Sequence, residues 1–248
     1  MPPSRLKEIA KFTTTLLAPP GASSRLTLPT RTIPFPSNNP MPFNDALAVR
    51  LEVFVDEQKC AAEFELDDDD ARSWHWVMYD ENASYPGAPS PIRLPVAVMR
   101  LVPPPHAPHV HPNEPEWRNG DGSGTYDLQH EPHIKFGRVA VLAAYRGLGL
   151  ARRLMETAMK WAEENAGEIN QSLAEVVEKE TGEEGGGLAA GTGTGATPFP
   201  VWKGLALVHA QVDVQKMYER LGFVLDESMG TWVEEGIDHV GMWKRLNV

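Results

Sequence analysis

One stretch near the middle of the sequence limits the fold more than any other: an apolar, β-branched run, a turn that contains glycine, and an amphipathic helix in direct succession. The run covers residues 134–142 and predicts a buried strand. The turn covers residues 143–151, and the helix after it continues to about residue 165. The apolar face of this helix carries Leu150, Leu154, Ala158 and Trp161.

A strand that leads through such a turn into a helix is suited to holding phosphate groups. The free N–H groups at a helix start and the positive end of its dipole both favour an anion. Glycine lets the backbone approach a ligand closely, because it has no Cβ. The stretch therefore predicts a site for a ligand that carries phosphate.

The spacing of the glycines excludes two common nucleotide-binding motifs. A dinucleotide fingerprint needs G-x-G-x-x-G, and Arg152 stands where its third glycine would be. The G-x-x-x-x-G-K-S/T loop of the P-loop proteins is absent as well. What the turn contains is R-x-x-G-x-A, formed by Arg146, Gly149 and Ala151.

Composition narrows the class of protein further. The 248 residues include 23 Lys and Arg against 34 Asp and Glu, a net charge of −11, which argues against a nucleic-acid binder. No apolar run reaches the roughly 18 to 20 residues of a membrane helix, so no membrane span is predicted. The single Cys60 allows no internal disulfide, and we expect a reducing compartment, the cytoplasm or alternatively the nucleus.

The chain divides into a short lead and one domain. Residues 1–25 are basic and rich in Pro, Ser and Thr, which predicts a disordered lead or, as a minority alternative, a mitochondrial targeting segment. Residues 26–248 are predicted to form a single domain that begins with a strand over 26–33. Its Pro- and His-rich segment near 103–132 and its Gly-rich segment near 166–203 are predicted to be surface insertions.

Hydrophobic periodicity places the other elements. Apolar residues recur at helical spacing after Asn44, and Asn44 or Asp45 would cap that helix. The acidic run 63–70 is too dense in like charge for a helix interior and predicts a loop. A helix is predicted over 214–221, and strands are predicted over 73–79, 96–102, 205–210, 223–226 and 237–246.

Four histidines in the Pro-rich segment make a metal site conceivable. They are His106, His109, His111 and His130. Metal ligands need a rigid geometry, and the segment offers neither cysteine nor a histidine pair at helical i, i+4 spacing. No metal site is predicted.

Several motifs together resemble one known family. The run 139–141 followed by R-x-x-G-x-A resembles the strand and acetyl-CoA pyrophosphate loop of the GNAT N-acetyltransferase superfamily. Residues 217–223 resemble the late helix-to-strand motif of that family, in which a tyrosine precedes a Gly-Phe turn. The segments 53–58, 209–211 and 235–242 are similar to its bacterial ElaA and YjcF-like branch.

The resemblance extends over about residues 44–248, apart from the two insertions. It implies an α+β fold in which a mixed central β-sheet is splayed at the acetyl-CoA strand and carries helices on both faces. It also implies acetyl-CoA as cosubstrate. The backbone of Val139 and Val141 would pair with the pantetheine arm, and the turn from Arg146 would hold the pyrophosphate. The cofactor-binding set is then Val139, Ala140, Val141, Arg146, Gly147, Leu148, Gly149, Leu150, Ala151 and Gln211.

The resemblance also implies catalytic roles. Tyr218 would donate a proton to the departing thiolate, because a phenol with a pKa near 10 is protonated at neutral pH. The incoming amine must lose a proton, and His209 is our main candidate base, with His133 as an alternative. Lys135 stands where the histone-modifying branch has a glutamate, so a mechanism of that type is in doubt.

The acceptor side is predicted from charge. The acidic run 63–70 is followed by Trp74, His75 and Trp76, and it is hypothesised to attract a cationic amine; Glu65 and His75 are the candidate acceptor contacts. The alternative is a solvated loop that only aids solubility.

We therefore expect acetyl transfer to a primary amine by direct attack in a ternary complex, with a small cationic amine as the acceptor. A protein lysine or N-terminal acetyltransferase and a non-catalytic acetyl-CoA-binding module remain as alternatives. The expected partners are acetyl-CoA and an amine, without nucleic acid or membrane, and the chain would be a monomer or a homodimer.

Overall fold

The computed structural model describes residues 11–83, 92–107, 126–128, 130–181 and 200–248. Eight strands form one sheet: β1 (Phe12–Leu17), β2 (Trp74–Ala83), β3 (Ile92–Val102), β4 (Ile134–Val141), β5 (Leu205–Gln211), β6 (Val224–Leu225), β7 (Thr231–Glu234) and β8 (Ile237–Arg245). The helices are α1 (Met41–Arg50), which continues into a π-helical segment (Leu51–Glu57), α2 (Leu150–Glu164), α3 (Ala166–Thr181) and α4 (Gln215–Arg220).

The sheet is mixed. Its strand order is β1-β2-β3-β4-β5-β8-β6, and β7 pairs with β8 beside this path. Neighbouring strands are antiparallel except for β4 and β5, which are parallel. The predicted α+β class is confirmed, and strands lie at the runs predicted over 73–79, 96–102, 134–142, 205–210 and 237–246, although β6 keeps only two residues of the run predicted over 223–226.

Helices cover both faces of the sheet, as predicted. In β2, Trp74 and Trp76 contact Trp161 of α2, with ring centroids 5.0 and 5.5 Å apart. His75, between them, contacts Phe43 of α1 at 5.1 Å. Because side chains alternate across a strand, α1 and α2 lie on opposite faces.

The parallel pair of strands separates after a short ladder. Ile134, Lys135 and Phe136 of β4 pair with residues 206–208 of β5. Beyond that point β4 continues to Val141 and β5 to Gln211 without pairing to each other. The predicted splay at the acetyl-CoA strand is therefore confirmed.

The beginning of the chain differs from the prediction. Residues 12–17 lie within the predicted disordered lead, yet they form β1 and pair along β2 from Phe12 with Asp80 to Leu17 with His75. The predicted strand over 26–33 is irregular instead. Pro29 interrupts that run, and proline cannot donate a ladder hydrogen bond. Residues 1–10 lie outside the described residues.

The predicted insertions are only partly described. Residues 108–125, residue 129 and residues 182–199 lie outside the described part of the chain. Residues 166–181 are not a surface loop but helix α3. This helix buries one apolar side chain at every fourth position, namely Ile169, Leu173 and Val177.

The predicted cap of the first helix is wrong. Helix α1 begins at Met41 directly after Pro40, and Pro42 occupies its first turn. Asn44 is instead buried within the helix, where its side chain accepts from Asn39 at 2.8 Å and donates to the Pro36 carbonyl at 3.1 Å. A polar residue near a helix start signals a cap from sequence, but here it joins the helix to the segment before it.

The described residues contain neither a helix suited to span a membrane nor a cluster suited to hold a metal ion. None of the described helices is both long enough and apolar enough to cross a membrane. The described residues also contain no group of three or more His, Cys, Asp or Glu side chains placed to hold a metal ion. His109 and His111 lie outside them.

Candidate active site

A cleft of about 480 Å³ lies where β4 and β5 separate. Its walls come from four elements: the sheet, the π-helical segment, the turn before α2, and α4. Of the cofactor residues that the resemblance implies, six line the cleft: Val139, Ala140, Val141, Arg146, Ala151 and Gln211.

One side of β4 is open along the cleft. On its other side β4 keeps its ladder with β3, where Val98 pairs with Ala140 and Ala97 with Val141. The edge toward β5 has no partner strand beyond Phe136. An extended chain with alternating amide and carbonyl groups can therefore add to this edge as a further strand.

A β-bulge interrupts β4 beside this edge. The register with β3 shifts between Val98 and Arg100, and Arg138 has a φ of 51°. A positive φ is uncommon for a residue other than glycine, and a bulge turns the side chains of a strand out of simple alternation. The Arg138 side chain consequently reaches the carbonyl of Phe64 at 2.8 Å and Asp67 at 3.1 Å.

The turn before α2 has the geometry of an anion site. Gly147 and Gly149 have φ values of 76° and 77°, and a Cβ built on either meets no atom within 4 Å, so the backbone there is open. Helix α2 begins at Leu150 without a side-chain cap, so the N–H groups of its first turn remain available. The Leu150 side chain is buried, which fixes the turn and leaves its backbone for a ligand. These features fit the pyrophosphate of acetyl-CoA.

Arg146 already has an anionic partner. Its guanidinium donates two hydrogen bonds to the Glu57 carboxylate, at 2.5 and 2.6 Å, and one to the Val141 carbonyl at 3.1 Å. Hydrogen bonding from Arg146 lowers the pKa of Glu57. An arginine at a helix start opposes the helix dipole, and Glu57 offsets this within the protein.

A second contact crosses the cleft nearby. The side-chain amides of Gln211 and Gln58 donate to each other, at 3.1 and 3.4 Å. Glu57 and Gln58 adjoin each other at the end of the π-helical segment, so this segment is tied to the turn before α2 and to the end of β5.

Tyr218 lies in α4 and lines the cleft, as its predicted role requires. Its ring packs edge-on against Phe223, with centroids 5.9 Å apart. Burial raises the pKa of Tyr218, so the phenol stays protonated. No described residue forms a hydrogen bond with its hydroxyl, which leaves the proton available to a bound group.

The two candidate bases lie in different places. His209 lines the cleft, with its ring edge-on to Trp232 at 4.9 Å. His133 does not line it: its ring packs against His106 at 4.6 Å and Trp243 at 5.0 Å, beside a separate small cavity. His209 is therefore the one of the two that can reach an amine in the cleft.

The predicted acceptor contacts lie outside the cleft. Glu65 is 3% and His75 0% exposed, and neither lines the cleft. Glu65 accepts a hydrogen bond from Arg50 at 3.1 Å. His75 lies 3.0 Å from the Asp70 carbonyl, and burial lowers its pKa to about 4. Both side chains thus form contacts inside the protein, Glu65 with Arg50 and His75 with the Asp70 backbone.

Three arginines pair with Glu65, Asp67 and Asp70, half of the six acidic residues of that run. Arg50 binds Asp70 through two hydrogen bonds, at 2.7 and 3.2 Å, besides its bond to Glu65. Arg100 binds Asp67 at 2.6 and 3.0 Å and also lies 2.9 Å from Asp70. Arg138 supplies the third guanidinium, so the hypothesised attraction of a cation by these carboxylates has no support.

Little in the sequence indicates this network, because Arg100 and Arg138 lie in strands β3 and β4, far along the chain from the acidic run. Five charged or histidine residues that line the cleft were given no acceptor role from sequence: Arg100, Lys135, Arg138, Glu234 and His239. A signal for Lys135 was available. Lys135 is an even number of residues from Val139 and Val141 in a strand that was predicted correctly, so regular alternation would place the three side chains on the same face. The bulge at Arg138 interrupts this alternation and weakens the prediction.

An open strand edge, a helix start without a side-chain cap and a buried phenol thus lie at one cleft. The family model described as "Acetyltransferase (GNAT) family" matches residues 50–181, more than half of the chain, and the chain belongs to this family. It is thus an acyl-CoA-dependent N-acetyltransferase, and acetyl-CoA is its acetyl donor.

Three of the solved structures to which this chain is similar come from bacteria. An acyl-CoA N-acyltransferase from Pseudomonas aeruginosa is 21% identical, with 95% of this chain and 99% of that chain covered and a TM-score of 0.45. A putative N-acetyltransferase from Lactobacillus plantarum is 21% identical, with 95% and 98% covered and a TM-score of 0.48. Escherichia coli ElaA is 18% identical, with 95% and 99% covered and a TM-score of 0.45. The predicted kinship with the ElaA branch stays a prediction.

Proposed function

We propose that the cleft transfers an acetyl group from acetyl-CoA to a small primary amine by direct attack in a ternary complex. The observation that carries the proposal is the separation of β4 from β5. Arg146, Tyr218 and the edge of β4 beyond Phe136 all line the cavity that this separation leaves. A donor and an acceptor bound on two sides of that cavity can meet without a covalent enzyme intermediate.

The donor would lie along β4. Backbone groups of Val139 and Val141 hold its pantetheine arm, and the open N–H groups from Gly147 to Ala151 hold its pyrophosphate. Arg146 adds a guanidinium when it exchanges Glu57 for phosphate. Gln211 would contact the donor from the end of β5.

The acceptor must arrive as an amine with a free lone pair. Primary amines are ammonium ions at neutral pH, so one proton first passes to His209 or, through water, to solvent. The amine nitrogen then forms a bond with the thioester carbonyl carbon, and the C–S bond breaks. The nitrogen loses a second proton, and Tyr218 donates its proton to the thiolate and is reprotonated from solvent. In total, an ammonium and the thioester give an amide, free CoA and one proton.

Release of CoA in the presence of a panel of amines tests the proposal. We expect Tyr218→Phe to lower kcat by about 10- to 100-fold, because it removes the proton donor. Binding of acetyl-CoA, measured by calorimetry, should stay within about twofold of the wild type. Tyr126→Phe, outside the cleft, is the matched control and should leave both quantities unchanged.

Two results would contradict this account. A fully active Tyr218→Phe variant would show that Tyr218 is not the general acid. Tight acetyl-CoA binding without CoA release for any amine would favour a non-catalytic binding module.

A further inference from the structure

Lys135 is a cation in the cleft that forms no ion pair with a carboxylate among the described residues. It lies on β4 and lines the cleft. Its ammonium has no carboxylate oxygen within 4.0 Å among the described residues, and it donates no hydrogen bond to any of them. Burial lowers the pKa of Lys135, which reflects the cost of holding this charge without a partner.

Arg100 extends the positive surface from the neighbouring strand. In the ladder between β3 and β4, Arg100 stands opposite Gly137 and Val102 stands opposite Lys135. Arg100 and Lys135 are therefore diagonal neighbours on one face of the sheet. The two terminal nitrogens of Arg100 bind aspartates, but its buried Nε has no hydrogen-bonding partner among the described residues. Both side chains line the cleft.

A carboxylate stands near this positive surface. Glu234, at the end of β7, lines the same cleft, and no cationic nitrogen of the described residues lies within 4.0 Å of its carboxylate. Its charge nevertheless acts on Lys135. By contrast, the other cleft carboxylate, Asp69, is paired with Arg72 at 2.8 Å. The cleft thus offers a positive group, Lys135, and a negative group, Glu234, that form no ion pair with any described residue.

We propose that the acceptor is a small amine that also carries a carboxylate, an amino acid in chemical class, held by Lys135 and the Nε of Arg100. Its ammonium group faces Glu234 before the proton is lost. The inference rests on the proposed function and names the substrate class of the same cleft.

The position of Lys135 separates it from the phosphates of the donor. Lys135 lies six residues before Val141, a distance of roughly 20 Å along an extended strand. The anion-binding turn follows Val141 at the opposite end. A diamine or polyamine fits this end of the cleft poorly, because its second ammonium group would meet Lys135 and Arg100 without compensation.

The test compares amino acids with their own carboxamides, which keep the amine and remove the negative charge. Initial rates of CoA release give kcat/KM for each pair, with spermidine and a lysine peptide as further acceptors. We expect at least one amino acid to exceed its amide by about tenfold or more, as a charge-assisted contact would produce. Lys135→Gln should bring this ratio close to one, and Lys135→Glu should reverse it in favour of the amide.

Lys160→Gln is the control, because Lys160 is exposed on α2 and paired with Glu164. It should keep the wild-type ratio. Thermal melting of each variant verifies that it is folded, and the loss of an unpaired lysine should not unfold the chain.

The outcomes separate the two proposals. Acetylation of amines with equal rates for acids and amides, or with spermidine or the lysine peptide preferred, would overturn the inference and leave the proposed function in place. A wild-type preference for amino acids that Lys135→Gln does not change would also overturn it. If none of the amines gave CoA release, both this inference and the proposed function would be overturned.

Discussion

The guanidinium of Arg146 and the carboxylate of Glu57 form a paired contact, at 2.5 and 2.6 Å, that joins the turn before α2 to the end of the π-helical segment. The two side chains are 45% and 41% exposed, so the pair contributes at most about 1 kcal/mol to stability. Its position matters more than its strength. The carboxylate occupies the guanidinium that the proposed donor phosphate would use.

Glu57→Gln should therefore strengthen acetyl-CoA binding. Without the competing carboxylate, we expect KM for acetyl-CoA to fall about threefold, whereas Arg146→Ala should raise it about tenfold because a charge-assisted contact is lost. In the double variant, the benefit of Glu57→Gln should disappear. Arg152→Ala serves as the control, since its exposed contact is with Glu156 on the same helix. If Glu57→Gln raises KM as Arg146→Ala does, Glu57 positions the arginine instead of competing for it.

Gly149 gives a second test of the turn. Its φ of 77° is strained for any residue with a Cβ, although the space around it is open. We expect Gly149→Ala to lower the free energy of unfolding by about 1 kcal/mol and to raise KM for acetyl-CoA severalfold, because the N–H groups beside it are reoriented.

Gly167 provides the matched control for Gly149. It lies in the first turn of α3, and a Cβ there also meets no atom within 4 Å, but its φ is ordinary. Gly167→Ala should raise the free energy of unfolding slightly, by up to about 0.5 kcal/mol, without affecting KM. A Gly149→Ala variant that is destabilised but keeps its KM would mean that the turn does not hold the phosphates.

The contrast between the turn and the acidic run shows what this sequence could reveal. The strand, turn and helix around Gly149 are consecutive, so local periodicity and glycine spacing predicted them correctly. The charge of residues 63–70 was also visible, but its partners Arg100 and Arg138 lie in β3 and β4, and only the sheet brings them together. The concentration of acidic residues in 63–70 therefore did not predict a negatively charged surface.

The same reason explains which site residues were missed. Lys135 and Glu234 are separated by almost a hundred residues. They line the same cleft only because β4, β5, β8 and β7 are successive neighbours in the sheet. Tyr218, which lines the cleft, could be singled out from the sequence because its motif is local. His75, in a polar and aromatic stretch, was expected at the surface, but the crossing of α1 over β2 buries it.

Arg50 should be essential for stability. Its side chain is fully buried between Glu65 and Asp70. Arg50→Met leaves two buried carboxylates with less compensation, and we expect a loss of about 3–5 kcal/mol in the free energy of unfolding by urea. Lys160→Met removes an exposed pair and should cost less than about 1 kcal/mol. Similar effects of the two substitutions would show that water reaches the Arg50 network.

The burial of His75 should make stability depend on pH. Burial lowers the pKa of His75 to about 4, against an unfolded value near 6.5, so the unfolded chain binds the proton more readily. The stability that the neutral His75 side chain contributes to the folded chain is fully present above about pH 6.5, and it is lost as the pH falls toward 4. Between pH 7 and pH 5, it should lower the free energy of unfolding by about 2 kcal/mol.

The substitution His75→Gln isolates the part of the pH dependence of unfolding that is due to His75. Burial also lowers the pKa of His106, which therefore contributes to the wild-type pH dependence. Asp70 acts only in more acidic solution: burial opposes its ionisation, but Arg50 and Arg100 hold the pKa of its carboxyl well below the usual range. His75→Gln, compared with wild type by urea unfolding at both pH values, should reduce the decrease by about 2 kcal/mol whatever its absolute stability. An unchanged decrease would show that His75 takes up its proton in the folded state as readily as in the unfolded chain.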